Sequence, residues 1–269
     1  MENSSKEMVV RQSFPILASS YKGLSVNEVR VFVNFLGRVN LKDLNAENVE
    51  VDYTYKELRN IIPGNRSKEY IESILHNLAK TTCTFEVEEK FLTKRGRETV
   101  VENVRGMIET SLISVFTEFE EHDEKRVRIR LHKDVAPLIL DNSYFRYTLL
   151  SFNEFTSLPS KMAQGLYRLL LLNQYEAQNA APKSDGGIAT IKLKKIYKHF
   201  GYDGEFYEFF RQLKEASKFV NETHLKHTID KVYKPGTHTV DALKFIYLTK
   251  TMLSEIIDDE GDKKNEEDE

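Results

Sequence analysis

Tryptophan is absent from this chain of 269 residues, and cysteine occurs once, at Cys83. A single thiol excludes an intramolecular disulfide and suits a reducing compartment. Within the apolar stretch from Thr81 to Val87 it reads as a small buried hydrophobe rather than a nucleophile. Long apolar runs are missing too. The longest aliphatic stretch, Leu169 to Leu172, is far short of the roughly 20 residues that span a bilayer. The opening Met1-Glu2-Asn3-Ser4-Ser5-Lys6 lacks the apolar core of a secretory signal. A cytoplasmic protein with no membrane partner is therefore expected. Neither G-x-x-x-x-G-K-[ST] nor G-x-G-x-x-G occurs, which disfavours an ATP-driven helicase or loader and leaves no cofactor to expect. The His-apolar-His metal motif of an origin-nicking enzyme is also missing. The one close histidine pair, His224 and His227, has no Cys or Glu at metal-site spacing and reads as a surface or strand-end pair. Neither a metal nor an enzymatic activity is expected.

Hydrophobic residues at 40% and aromatics at 11%, all of them Tyr and Phe, are enough for two globular cores. The net charge of −3 conceals an uneven distribution. From Glu255 to Glu269 nine acids face two lysines, whereas residues 160–250 carry 15 Lys/Arg against 9 Asp/Glu. Residues 1–159 are nearly balanced, with 22 bases and 24 acids. The second half is the better phosphate binder on this count, and the tail reads as a solvated acidic segment. An ordinary solubilising surface would carry the same charge.

One module is spelled twice, about 135 residues apart. Each copy runs from an apolar helix through a short strand, a helix, a turn and a second helix into a β-hairpin. That order predicts an α+β fold of tandem winged-helix (helix-turn-helix) domains, whose second helix is shaped for a DNA major groove. In the first copy Ser25-Val26-Asn27-Glu28 forms a capping box, followed by Val29, Phe32, Val33 and Leu36 on one helical face. Val49 to Tyr53 alternates as a strand, and Thr54 caps a helix through Ile61. After Pro63-Gly64-Asn65 the next helix spans about Arg66 to Lys80, with Ile71, Ile74, Leu75 and Leu78 inward. Its other side bears Arg66, Tyr70, Ser73, Asn77 and Lys80, which can donate to phosphates or base edges, with Glu69 and Glu72 nearby. The tip Lys94-Arg95-Gly96-Arg97 is expected to be a basic wing bearing Lys94, Arg95 and Arg97, followed by one long strand from Gly106 to Phe119 and a return strand from Arg126 to Leu131. A plain solvated face and a charged hairpin tip remain the alternatives.

In the second copy Ser160 caps a helix bearing Met162, Leu166, Leu169 and Leu170. A strand over Ile188 to Leu193, a helix over Lys194 to Phe200 and the turn Gly201-Tyr202-Asp203-Gly204 follow. The next helix, Glu205 to Asn221, buries Phe206, Phe209, Phe210, Leu213 and Ala216. Its opposite face presents Tyr207, Arg211, Lys214 and Lys218, spaced four, three and four, with fewer intervening acids than in the first copy. This is the better candidate recognition helix. The hairpin Thr228 to Leu248 turns at Lys234-Pro235-Gly236-Thr237, a type II signal, with Lys231, Lys234 and His238 near its tip.

The motif order resembles plasmid replication initiator (Rep) proteins of the theta type, which bind origin repeats called iterons. The resemblance rests on Phe155-x-x-Leu158, Leu166-Tyr167-Arg168-Leu169-Leu170, Gln174-Tyr175 and Ile191-x-Leu193-x-x-Ile196. It continues in Phe206-x-x-Phe209-x-x-x-Leu213-Lys214, Asn221-Glu222-Thr223, Leu243-x-Phe245-x-Tyr247 and, in the first half, Leu24-Ser25-x-x-Glu28-x-Arg30. It implies an N-terminal domain over 10–142 for dimerisation and auxiliary DNA contact, and a C-terminal domain over 143–253 as the main reader of the repeats. It also implies duplex DNA, a second copy of the chain and host replication proteins such as helicase and initiator as partners, in a bacterium bearing a plasmid or mobile element. Monomers would initiate replication and dimers would repress their own promoter. The acidic segment 254–269 departs from the family pattern. A winged-helix transcriptional regulator is the competing reading; it predicts one palindrome where an initiator predicts tandem repeats.

Overall fold

The computed structural model describes residues 9–13, 21–39, 49–64, 67–95, 98–121, 124–133, 135, 147–180 and 187–248. Arg66, Arg97 and the acidic segment 254–269 lie outside them.

Helix α1 (Val26–Arg38) starts at the capping box: the Glu28 amide donates to Ser25 Oγ (3.3 Å) and the Ser25 amide donates to Glu28 Oε2 (2.5 Å). Strand β2 (Glu50–Thr54) leads into α2 (Tyr55–Ile61) through a second capping box, Thr54 with Glu57. Helix α3 (Lys68–Lys80) begins two residues later than expected because Ser67 is its cap; Ser67 Oγ accepts from the Tyr70 amide at 3.2 Å. Buried Phe32, Leu58, Ile71, Ile74 and Leu75 fill the space between these helices.

Beyond α3 the expected single strand from Gly106 to Phe119 is two strands in two sheets. Strands β3 (Thr82–Arg95) and β4 (Glu98–Ser111) pair along their whole length as a hairpin of 14-residue arms, roughly 45 Å long. Strand β5 (Ile113–Glu121) instead pairs with β6 (Glu124–Leu131), which pairs on its other edge with β2. The change of sheet falls at Leu112, where adjacent Leu112 and Ile113 are both buried. Leu112 belongs to neither ladder: the β3–β4 register ends at Ser111 and the β5–β6 register begins at Ile113.

Strand β1 (Val9–Ser13) pairs antiparallel with β7 (Tyr147–Ser151), tying the start of the first copy to the start of the second. A short helix, α4 (Phe152–Ser157), precedes α5 (Lys161–Ala180), whose first turn donates the Ala163 amide to Ser160 Oγ at 3.1 Å. Then come β8 (Ile188–Lys192), α6 (Leu193–Phe200), α7 (Phe206–Val220), β9 (His227–Tyr233) and β10 (Val240–Tyr247). The two three-stranded sheets have the same order, β2-β6-β5 and β8-β10-β9. Each copy is therefore a helix-strand-helix-helix unit closed by a hairpin, and the fold is α+β with tandem winged-helix modules. In the first module the long hairpin β3–β4 is inserted between helix and wing.

Among the described residues one hydrophobic core joins both halves, from Val10 and Phe32 to Leu166, Phe209 and Phe245. At the seam, buried Arg30 of α1 donates to the carbonyl oxygens of Thr156 (2.6 Å) and Leu158 (3.0 Å) at the end of α4. Glu154 of α4 accepts from Tyr167 Oη of α5 (2.9 Å) and from the His224 amide (2.9 Å). No helix among the described residues is long and apolar enough to cross a membrane.

Candidate nucleic-acid interface

In the second module α7 turns Phe209, Leu213, Ala216 and Val220 into the core and leaves Tyr207, Arg211, Lys214 and Lys218 exposed. Tyr207 is 81% exposed, so its phenol faces solvent. The wing meets this helix through two rings. Phe206 and Phe210 stack at 5.5 Å between centroids; Lys214 Nζ lies 5.2 Å from the Phe210 centroid, and Lys231 Nζ of β9 lies 4.5 Å from it. The negative ring face attracts both ammonium groups. Helix and wing thus share a cationic cleft. At its end Lys234, Pro235, Gly236, Thr237 and His238 are all exposed, and the Thr237 amide donates to Lys234 O at 3.1 Å. Gly236 sits at φ +70, the left-handed conformation that a type II turn requires at this position.

The acid content of this face differs from expectation. Arg211 forms a two-pronged pair with Glu208 (3.0 and 2.6 Å), and Lys218 pairs with Glu215 (2.9 Å). Hydrogen bonds from Arg211 and then Gln212 hold the Glu208 carboxyl down at about 2. The i,i+3 spacing of these pairs was legible in the sequence. Lys214 has no carboxylate partner among the described residues and is the most available charge on the helix. Periodicity assigned Phe206 and Phe210 to the core alone; their second role, seating a wing lysine, depends on a strand more than twenty residues away.

The first module presents a different surface. Two members of the expected α3 stripe face α1: Tyr70 Oη accepts from Asn27 Nδ2 (3.1 Å), and Asn77 Nδ2 donates to Glu28 Oε1 (2.9 Å). Ser73 Oγ donates to the Tyr70 carbonyl (2.7 Å), and Lys80 is exposed. The expected basic wing is corrected as well. Lys94 and Arg95 lie at the tip of the separate β3–β4 hairpin, with Arg97 outside the described residues. The wing position belongs to β5–β6, whose turn is flanked by Glu121 and Glu124, both paired with Arg126 (3.3 and 3.7 Å). Sheet membership decides this: among the described strands β3 and β4 pair in a ladder of their own, whereas β5 joins the sheet that carries β2. Beside the wing, Glu118 accepts from Tyr55 Oη and from Lys68 Nζ (3.0 Å), which hold its carboxyl at about 2.

The histidine pair diverges. His224 contacts Glu154, while buried His227 meets Ser217 Oγ (3.0 Å) and Leu225 O (2.9 Å). Cys83 is 1% exposed, and burial pushes its thiol up to about 12, so it packs as a hydrophobe. No group of three His, Cys, Asp or Glu among the described residues is placed to hold a metal.

Among solved structures, the chain is similar to the Pi initiator protein crystallised in complex with iteron DNA. The TM-score is 0.60 and the identity 14%, over 91% of this chain and 99% of that one. Domains 2 and 3 of RctB align at 10% identity over 93% of this chain and 94% of theirs, with a TM-score of 0.43. No curated protein sequence matches. The first of these likenesses agrees with the tandem winged-helix fold. The model of the initiator replication protein family, named for its first winged-helix domain, matches residues 9–171. Matched by that model over more than half its length, the chain belongs to the initiator replication protein family.

Proposed function

We propose that this protein initiates plasmid replication by binding direct repeats in origin duplex DNA, with the second module as main reader over residues 143–253 and the first, residues 10–142, as auxiliary contact and dimer interface. The observation that carries the reading is the α7–wing cleft, where Lys214 and Lys231 converge on the Phe210 ring. Tyr207, Arg211 and Lys218 extend this surface along the helix, and Lys234 and His238 extend it along the wing. Arg211 would leave Glu208 for a guanine edge, since its planar fork can bond two acceptors at once. Lys214, Lys218 and the wing lysines would anchor phosphates. On the first module Arg66, Tyr70, Ser73, Asn77 and Lys80, with Lys94 and Arg95 on the long hairpin and with Arg97, would add weaker contacts. The protein would act without chemistry of its own, in the cytoplasm, helping to melt adjacent DNA, recruiting host helicase and initiator, and repressing its own promoter as a dimer.

Fluorescence anisotropy with duplexes drawn from the DNA beside the gene tests the reading. Tight binding to tandem repeats over scrambled duplex is expected. Preference for a single palindrome near other genes would favour a transcriptional regulator instead.

A further inference from the structure

A cavity of about 190 Å3 lies at the junction of the two modules, away from the α7–wing cleft. It is larger than the roughly 150 Å3 engineered cavity that admits benzene. Gln164 of α5 lines it and is 2% exposed, yet neither its amide nitrogen nor its amide oxygen meets a partner among the described residues. Such an amide is a buried donor and acceptor side by side, and burying both without partners costs free energy. Tyr21, Met162 and Phe200 supply flat or pliable apolar walls. Arg168 is buried in the cavity with its guanidinium 3.8 Å from the Tyr21 ring centroid.

Two exposed lysines, Lys22 and Lys161, stand on the solvent side, and no Asp or Glu is among the described residues that line the space. Outside it, Asp203 makes a long, exposed pair with Lys22 (3.4 Å). The occupant that satisfies these groups has three properties. It needs a flat ring, an uncharged N–H donor beside an acceptor for Gln164, and an anionic group within reach of the lysines. An ammonium donor would face the like charge of Arg168. Glutamine bonds the adenine N6 and N7 edge in this two-point manner.

We propose that the cavity binds an adenine nucleotide, the base edge on the Gln164 amide and the phosphate between Lys22 and Lys161. The walls come from both modules: Tyr21 to Gly23 precede α1, and Phe200 and Gly201 end α6, the helix before α7. Occupancy therefore favours the packed arrangement of the two modules and tunes DNA affinity without being required for it.

The test uses the full chain without DNA, so it stands apart from the origin-binding reading. Melting temperature and calorimetric binding are measured with AMP, adenosine and inorganic phosphate. AMP at about a hundredfold excess over its Kd should raise the melting temperature by about 5 °C or more, adenosine less, and phosphate alone hardly at all. Gln164→Leu, of similar size, should fold and lose the AMP shift. Lys161→Ala, an exposed change, should weaken AMP while leaving adenosine unaffected. No shift of the parent protein at millimolar AMP would overturn the proposal. So would an equal shift in Gln164→Leu, or a phosphate shift matching that of AMP. Should Gln164→Leu fail to fold, unchanged AMP binding by Lys161→Ala would overturn it.

Discussion

Arg211 is held by its own helix before DNA arrives, since both its bonds run to Glu208. Base reading requires exchanging that carboxylate for a guanine edge. Arg211→Ala should cost about 1–3 kcal/mol on repeat DNA and blur one base position. Glu208→Gln should tighten binding to repeat and scrambled duplex alike, because it frees the guanidinium and removes a negative charge near the phosphates. Lys214→Ala should weaken all sequences nearly equally and flatten the salt slope by about one unit. The three variants, titrated on both duplexes with melting temperature as a folding control, separate these roles. Arg211→Ala and Lys214→Ala variants that bind like the parent would move the main reader elsewhere.

At the scale of elements, the seam between α1 and α4 rests on Arg30. Burial lowers the pKa of its guanidinium, and its bonds to Thr156 O and Leu158 O are the return on that desolvation. Arg30→Met keeps the stem but strands two carbonyls. A loss of about 1.5–3 kcal/mol in urea unfolding is expected. The first module's sheet should be acid-labile. Hydrogen bonds from Arg128 hold Asp52 below its ordinary range, and those from Tyr55 and Lys68 hold Glu118 at about 2. Folded pKa values below unfolded ones mean that the unfolded chain binds more protons. Their contribution is therefore present above about pH 4 and lost as the pH falls towards 2. Melting temperature should fall across that window, and Asp52→Asn should flatten the fall; a parent curve level from pH 5 to 2 would contradict it. The elements themselves were largely readable in advance. Caps at Ser25, Thr54 and Ser160 and the 3.6-residue period are local signals. The β1–β7 pair and the break at Leu112 were not readable, because a strand's partner is chosen by contacts far away in the chain.

For the whole molecule, two modules on one duplex should neutralise at least roughly six phosphates, giving a log–log salt slope of about −5. Affinity independent of salt between low and physiological concentrations would remove the case for a backbone-dominated grip. The first wing, whose turn is flanked by Glu121 and Glu124, suits protein contact better than phosphate contact. A monomer–dimer equilibrium is therefore expected, with the dimer the weaker origin binder, because one surface cannot serve partner and DNA together. Sedimentation velocity over a concentration series, with and without repeat DNA, measures it; one species that binds without changing its oligomeric state would count against it.

Duplication of the module, the order of helices and strands, and the cationic bias of the second half follow from the sequence by itself. Each is written in caps, periodicity or composition, which act over a few residues or add along the chain. Which hairpin serves as the first wing was decided only by the tertiary structure, because backbone hydrogen bonds, not tip charge, assign a strand to a sheet. The same holds for the wing lysine on Phe210 and for the unpartnered Gln164 amide at the junction, since both depend on where distant segments come to lie against α7 and α5. Local rules place a residue on a helix face, and packing decides what that face meets.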